Sequence, residues 1–248
     1  MISKSQINFV KSLHQKKVRK DLGFFIVEGI KSVTEFLQSD YVVDTIFYTT
    51  KEVLKLDILS QNVKLFEIKD EELIKISTLT KPQQVLAIIR IPTRPITPPL
   101  ELPNDTFTLM LDNIQDPGNL GTIIRTADWF GFNQLICSID TVDAYNPKVV
   151  QASMGSLSRM HILYADLPTL LQHSELPIYG AFLDGKSIHE TVFPTTGVLV
   201  LGNEGNGISK EVHQYIRYAV TIPRYGQAES LNVAISAAIF CVKIKKGI

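Results

Sequence analysis

The stretch Ile222-Pro-Arg-Tyr-Gly-Gln-Ala-Glu-Ser-Leu-Asn-Val-Ala-Ile-Ser-Ala-Ala-Ile239 decides how the rest of the chain is read. It begins as the tail of an apolar strand, Tyr218 to Ile222, and Pro223 ends the ladder because its nitrogen carries no proton to donate. A loop containing Gly226 follows. Ser230 and Asn232 then stand before a run of small residues. Both are good helix N-caps, since their side-chain oxygens accept the first free backbone N–H groups. Ala234, Ser236, Ala237 and Ala238 leave the next helix thin enough for another backbone to approach closely. Two readings stand side by side: a capped, buried C-terminal helix, or a strand–loop–helix turn that holds a ligand against exposed N–H groups and a polar pair.

Outward from this stretch the second half of the chain repeats the same unit. Strand Phe107 to Leu111 runs into the amide- and glycine-rich loop Asp112 to Gly121. A helix is expected from Thr122 to Phe130, closed by Gly131 in the left-handed conformation. Strand Gln134 to Ile139 is next. Pro147 opens a helix to Met154, Asp166 caps another through Leu170 and Leu171, and Ile178 to Leu183 reads as a strand. Val198 to Leu201 is a further strand, running into Gly202-Asn-Glu-Gly-Asn-Gly207, and a helix is expected over Lys210 to Arg217. Alternating strands and helices imply an α/β class with a mostly parallel sheet covered by helices on both faces. Three of its loops, 112–121, 202–207 and 223–232, follow carboxyl ends of strands, where open α/β sheets bind ligands. Trp129 and Met154 read as core.

The first ninety or so residues form a smaller α/β domain, of ordinary size for one. Ser3-Lys-Ser-Gln6 is a capping box, with Ile7, Val10 and Leu13 at helical spacing. The basic cluster Lys16, Lys17, Arg19 and Lys20 is either a solvated helix end or a phosphate-contacting patch. Strands are expected at Phe24 to Val27 (stopped by Glu28-Gly29), Val42 to Tyr48, Val63 to Ile68 and Val85 to Ile89. Helices are expected around Val33 to Leu37, Glu52 to Leu59 and Glu71 to Ile76. Residues 91–103 hold five prolines and read as a linker of extended geometry. The division expected is 1–90, linker 91–104, and 105–248.

Composition narrows the function. The 248 residues are 45% hydrophobic and 20% charged, with 25 basic and 25 acidic residues and a formal net charge of zero. A strongly basic nucleic-acid binder is excluded, a local basic face is not. Cys137 and Cys241 sit in apolar runs and read as buried free thiols, with no disulfide or metal spacing. No signal peptide or long apolar span is present, so a cytoplasmic protein without membrane or metal is expected. The glycines of 202–207 are spaced G-x-x-G-x-G around an acid, unlike a dinucleotide fingerprint, and there is no P-loop and no G-x-S-x-G elbow.

Together the three loops resemble the three motifs of the SpoU/TrmH-type RNA ribose 2′-O-methyltransferases of the SPOUT class. The matching residues are Asn113 to Arg125, Leu199 to Gly207 and Ile222 to Ala234, in that order. The N-terminal segment resembles the ribosomal-protein-like RNA-binding domain that precedes many members. The resemblance implies a trefoil knot through which the C-terminal helix is threaded, S-adenosylmethionine as methyl donor, and a ribose 2′-hydroxyl of RNA as acceptor, ribosomal RNA first and transfer RNA second. It places Asn119 and Arg125 in the first motif, Glu204 in the second, and Ser230 and Asn232 in the third. The cofactor falls to Gly202, Ile222, Leu231 and Asn232, and RNA contacts fall to Lys16, Lys17, Arg19, Lys20 and Arg125. Arg125 is expected to position and activate the hydroxyl. The resemblance also implies a homodimer, which helix Val233 to Val242, apolar on nearly all sides, supports. The alternatives are a non-catalytic RNA-binding or ribosome-assembly protein on this fold, and base methylation.

Overall fold

A computed structural model describes residues 2–50, 63–93, 102 and 105–246. The expected helix Glu52 to Leu59 and most of the proline-rich linker lie outside the described residues. The chain divides into two units, Met1–Arg94 with Asp143–Arg159, and Pro95–Val142 with Met160–Ile248.

In the first unit the capping box forms as its sequence implies. Ser3 Oγ accepts from the Gln6 N–H at 3.1 Å and Gln6 Oε1 accepts from the Ser3 N–H at 2.8 Å, which satisfies two donors that α1 (Lys4–Ser12) would otherwise leave open. α2 (Lys16–Leu22) ends on Gly23 in the left-handed region. There follow β1 (Phe24–Glu28), α3 (Ile30–Leu37), β2 (Val43–Tyr48), β3 (Lys64–Glu67), α4 (Asp70–Ile76) and β4 (Val85–Arg90). The strands order as β1-β4-β2-β3, antiparallel except for the parallel pair β2–β3. α1 and α4 pack together, and their apolar faces meet Ile26, Phe47, Leu86 and Ile88 of the sheet in one core.

The second unit opens with β5 (Phe107–Leu111), α5 (Pro117–Trp129) and β6 (Gln134–Ser138). The chain then supplies α6 (Pro147–Ser153) to the first unit, where it lies against β1. It resumes the second unit with β7 (His161–Ala165), α7 (Leu167–Gln172), β8 (Ile178–Ser187), β9 (Gly197–Leu201), α8 (Lys210–His213), β10 (Tyr218–Thr221) and α9 (Val233–Lys246). The six strands order as β10-β8-β9-β5-β6-β7, and every neighbouring pair is parallel. β5 and β9 are buried at every position, as central strands of a parallel sheet must be. α5 and α9 pack on one another. The α/β class and the parallel sheet expected from the sequence are therefore present.

Several boundaries differ. α5 starts at Pro117 rather than Thr122, because Asp116 caps it by accepting from the Asn119 N–H at 2.8 Å and Pro117 needs no acceptor at the first helical position. The expected ten-residue loop is thus half helix. β8 continues to Ser187 because β10 pairs along it, with a register shift between Ala219 and Val220. α8 ends four residues short of Arg217. Trp129 is no core residue: it is 84% exposed at the last turn of α5, and Met154 is also exposed. Cys137 and Cys241 are buried free thiols, as read. No described helix is long and apolar enough to cross a membrane.

Candidate active site

Three loops leave the carboxyl ends of β5, β9 and β10 in the second unit, and local chemistry fixes each. After β5, Asn113 adopts a left-handed conformation (φ +58°), tolerable for a short amide side chain. After β9, Gly202 is required by close approach: a Cβ there would collide with the Gly207 carbonyl carbon and the Ile208 nitrogen. The loop closes on itself, with Asn203 N–H donating to Gly207 O at 2.9 Å and Gly207 N–H to Asn203 O at 2.8 Å. The Asn203 side chain does two further things. Its Oδ1 accepts from the N–H groups of Gly205 and Asn206, and its Nδ2 donates to the Asn113 carbonyl at 2.9 Å, which ties the second loop to the first. The buried Asp112 carboxylate accepts from the Ser209 N–H at 2.7 Å and makes the same connection from below.

The three motif residues meet. Asn119, in the first turn of α5, donates through Nδ2 to Glu204 Oε1. Asn232 Nδ2 donates to Asn119 Oδ1 at 2.9 Å and to Glu204 Oε1 at 3.2 Å. Asn232 also caps α9, its Oδ1 accepting from the N–H groups of Ala234 at 2.9 Å and Ile235 at 3.3 Å. One amide therefore starts the C-terminal helix and joins it to both other loops. Ser230 makes no hydrogen bond among the described residues, so Asn232 alone is the cap.

Beside this network lies a cleft of about 920 Å³, at the upper end of the size range of small-molecule and cofactor sites. Gly202, Glu204, Ile222, Ser230 and Leu231 line it, with Leu201, Val233 and Phe240 supplying apolar wall. Between Ile222 and Leu231 the backbone makes no main-chain hydrogen bond with any described residue. Apart from the Ile222 and Ala228 carbonyls, which accept from the Thr221 and Arg224 side chains, its N–H and C=O groups have no partner among the described residues and border an apolar slot. No group of His, Cys, Asp and Glu with metal-binding potential occurs among the described residues.

Two expected site residues lie elsewhere. Arg125 is exposed on α5 without hydrogen bond or ion pair among the described residues. It follows Asn119 by six residues, hence by about 9 Å along the axis and about 120° around it, so within one chain it stands apart from the three-residue network. Arg19 is not part of an exposed basic cluster. It is 1% exposed. Its Nε and Nη2 donate to Asp143 Oδ2 at 3.0 and 2.6 Å, and its Nη1 donates to the carbonyls of Leu13 and His14, both at 2.9 Å. With four of its five donors taken and the side chain buried, it presents no exposed donor to a phosphate. Lys16, Lys17 and Lys20 are exposed on α2. The organising roles of Asp112, Asp116 and Asn203 were not read from the sequence. Of these only Asp116 carried a signal, an acid directly before a proline at a helix start.

A parallel sheet with a loop-built cleft, a capped final helix and an amide–carboxylate network at its carboxyl edge has the arrangement of an α/β enzyme. Residues 106–242 match the SpoU rRNA methylase family, and residues 4–87 match the MRM3-like substrate binding domain; the chain belongs to the SpoU rRNA methylase family. It is 31% identical over 239 residues to the 23S rRNA (guanosine(2553)-2′-O)-methyltransferase RlmP of Bacillus subtilis, covering 95% of this chain and 94% of that one. Among solved structures, a TrmH-family protein from Porphyromonas gingivalis superposes with a TM-score of 0.88 at 39% identity over 99% of each chain. An AdoMet-bound rRNA methyltransferase from Sinorhizobium meliloti superposes with a TM-score of 0.87 at 27% identity, over 100% of this chain and 97% of that one.

Proposed function

We infer that this protein methylates a ribose 2′-hydroxyl of RNA with S-adenosylmethionine as donor, and that its substrate is ribosomal RNA. The observation that carries the reading is the Asn119–Glu204–Asn232 network, which unites three loops at the wall of one cleft. The residues present fit the cofactor: an adenosyl group needs an apolar slot and main-chain donors and acceptors, and both line the cleft. Leu201, Ile222 and Leu231 would flank it, with the free backbone groups of Gly202 and of 222–231 holding its polar edge. When bound, the cofactor supplies an electrophilic methyl group.

The chain's own residues do the rest. Glu204 accepts from both amides through Oε1, which sets the orientation of the network. Asn232 fixes the floor of the cleft by starting α9. Arg125 is the cation that positions the phosphate beside the reacting ribose and stabilises charge developing on the 2′-oxygen. Because it stands away from the network in its own chain, we assign its action to the site of a second copy, in a homodimer formed over α5 and α9. The exposed side chains of Ile235 and Val242 on α9 support such an apolar contact. The family's trefoil knot, with α9 threaded, explains why that helix is built from small residues. Residues 1–90 take the RNA substrate, 105–248 the chemistry, and the protein works in the cytoplasm.

The test is transfer from tritiated S-adenosylmethionine to unmodified large-subunit ribosomal RNA transcript by the full-length protein, followed by alkaline hydrolysis. Label retained in an alkali-resistant dinucleotide is expected. Label in a base, or in transfer RNA alone, overturns the acceptor or the substrate. A folded protein that binds the cofactor and transfers nothing would be the non-catalytic alternative.

A further inference from the structure

The cleft does not stop at the slot that fits the cofactor. It continues past Ile222 to Leu183, Asp184, Arg224 and Tyr225. Tyr225 is 91% exposed, more than any other large hydrophobic side chain among the described residues. It makes no hydrogen bond and no ring contact with them, so its ring does nothing for this fold. It sits in a loop held at both ends: β10 ends at Thr221, four residues before it, and Asn232 pins the other end, while Arg224 Nη1 reaches across to the Ala228 carbonyl at 3.4 Å.

An aromatic ring held bare at the mouth of a reaction cleft is a stacking platform. Nucleobases are the ligands that such a ring accepts regardless of sequence, because each presents a π-face. The charges nearby do not build a phosphate site. Asp184 and Glu229 line the same cleft and offset Arg224, the cation beside the ring, whereas stacking involves no net charge. We propose that Tyr225 stacks on the base of the nucleotide whose ribose is methylated, making it a positioning residue that aims the 2′-hydroxyl at the cofactor slot. This rests on the methyl-transfer reading above. The stack selects no base by hydrogen bonding; it fixes the nucleoside by its plane.

The experiment compares wild type with Tyr225→Phe, Tyr225→Leu and Tyr225→Ala in full-length protein. The substrate is unmodified large-subunit ribosomal RNA transcript, and cofactor affinity is measured in parallel by calorimetry. The expected result is a loss of roughly tenfold or more in kcat/KM for the Leu and Ala variants, near-normal values for Phe, and unchanged cofactor affinity in all. Once the methylated nucleotide is mapped, a synthetic RNA made abasic at that position adds a second readout: wild type and Tyr225→Ala should then react at equal rates. Normal kinetics in Tyr225→Ala overturn the proposal. So does an equal loss in Phe and Ala, which assigns the effect to the hydroxyl, and so does a parallel loss of cofactor affinity. A wild-type protein that methylates no RNA removes the functional reading itself, and the stacking role falls with it.

Discussion

Replacing Asn232 separates two roles that one side chain combines. In Asn232→Ala, α9 loses its cap, worth about 1 kcal/mol within a range of roughly 0.5–2. The Nδ2 contacts to Asn119 and Glu204 also go; these are solvent-exposed, so we place them at the low end of the usual range, about 0.5 kcal/mol each. The sum is about 2 kcal/mol, or a fall in Tm of roughly 4–8 °C for a domain of this size. Asn232→Ser restores a cap without the amide donor and should recover about half of that. Asn232→Asp keeps the cap but sets a carboxylate against Glu204. Its Tm should lie below that of the Ser variant at low salt and rise as salt screens the pair. Differential scanning calorimetry of the three variants at two ionic strengths measures all of this. Equal midpoints for Ser and Ala would refute the capping argument, and a salt-independent Asp variant would refute the geometry of the network.

Arg125→Ala should leave cofactor affinity intact while methyl transfer falls by about a hundredfold or more. Mixing it with Asn232→Ala chains should restore one working site per mixed dimer; a monomer by light scattering ends the shared-site reading. Replacing Lys16, Lys17 and Lys20 together by Gln should weaken RNA binding and reduce its salt slope by roughly one unit per lost phosphate contact, with unchanged Tm. Arg19→Gln should do the reverse, leaving the salt slope alone and destabilising the first unit by stranding Asp143, as circular dichroism melts will record. His14 has a pKa lowered from 6.5, chiefly by burial, against the raising effects of the Ile76 backbone and Glu28, and its Nε2 is buried without a hydrogen-bond partner among the described residues. The unfolded chain therefore binds the proton more readily. Stability should fall as pH drops from above 6.5 toward the lowered folded value, and His14→Gln should flatten that part of a Tm–pH curve.

Signals confined to a few neighbouring residues were readable from the chain. Ser3 and Gln6 announce their capping box, Asp166 its helix, and the largely apolar runs of β5 and β9 their burial on both faces. The motif residues Asn119, Glu204 and Asn232 were found by resemblance, and they do meet. What escaped depends on partners far away in sequence. Arg19 looks like its neighbouring lysines until Asp143, 124 positions on, takes its guanidinium. The length of β8 is set by β10, whose own sequence is too short to reveal how far the pairing runs. Trp129 looked like core because most tryptophans are; its exposure follows from its place on α5, which no local pattern states. Asn203 could not be assigned because its second contact, the Asn113 carbonyl, lies 90 positions earlier.

The assignment of Asp143–Arg159 to the first unit has a consequence for how the protein is born. During synthesis the N-terminal unit emerges first, yet it is incomplete until a segment from beyond the linker has also left the ribosome. Until Asp143 arrives, the pocket around Arg19 would enclose a guanidinium with no counter-charge, a state that burial strongly disfavours. The first unit must therefore wait, unlocked, while β5, α5 and β6 are made. Order of synthesis and order of folding are out of step in this chain, and a fragment cut at the linker would stay in the waiting state.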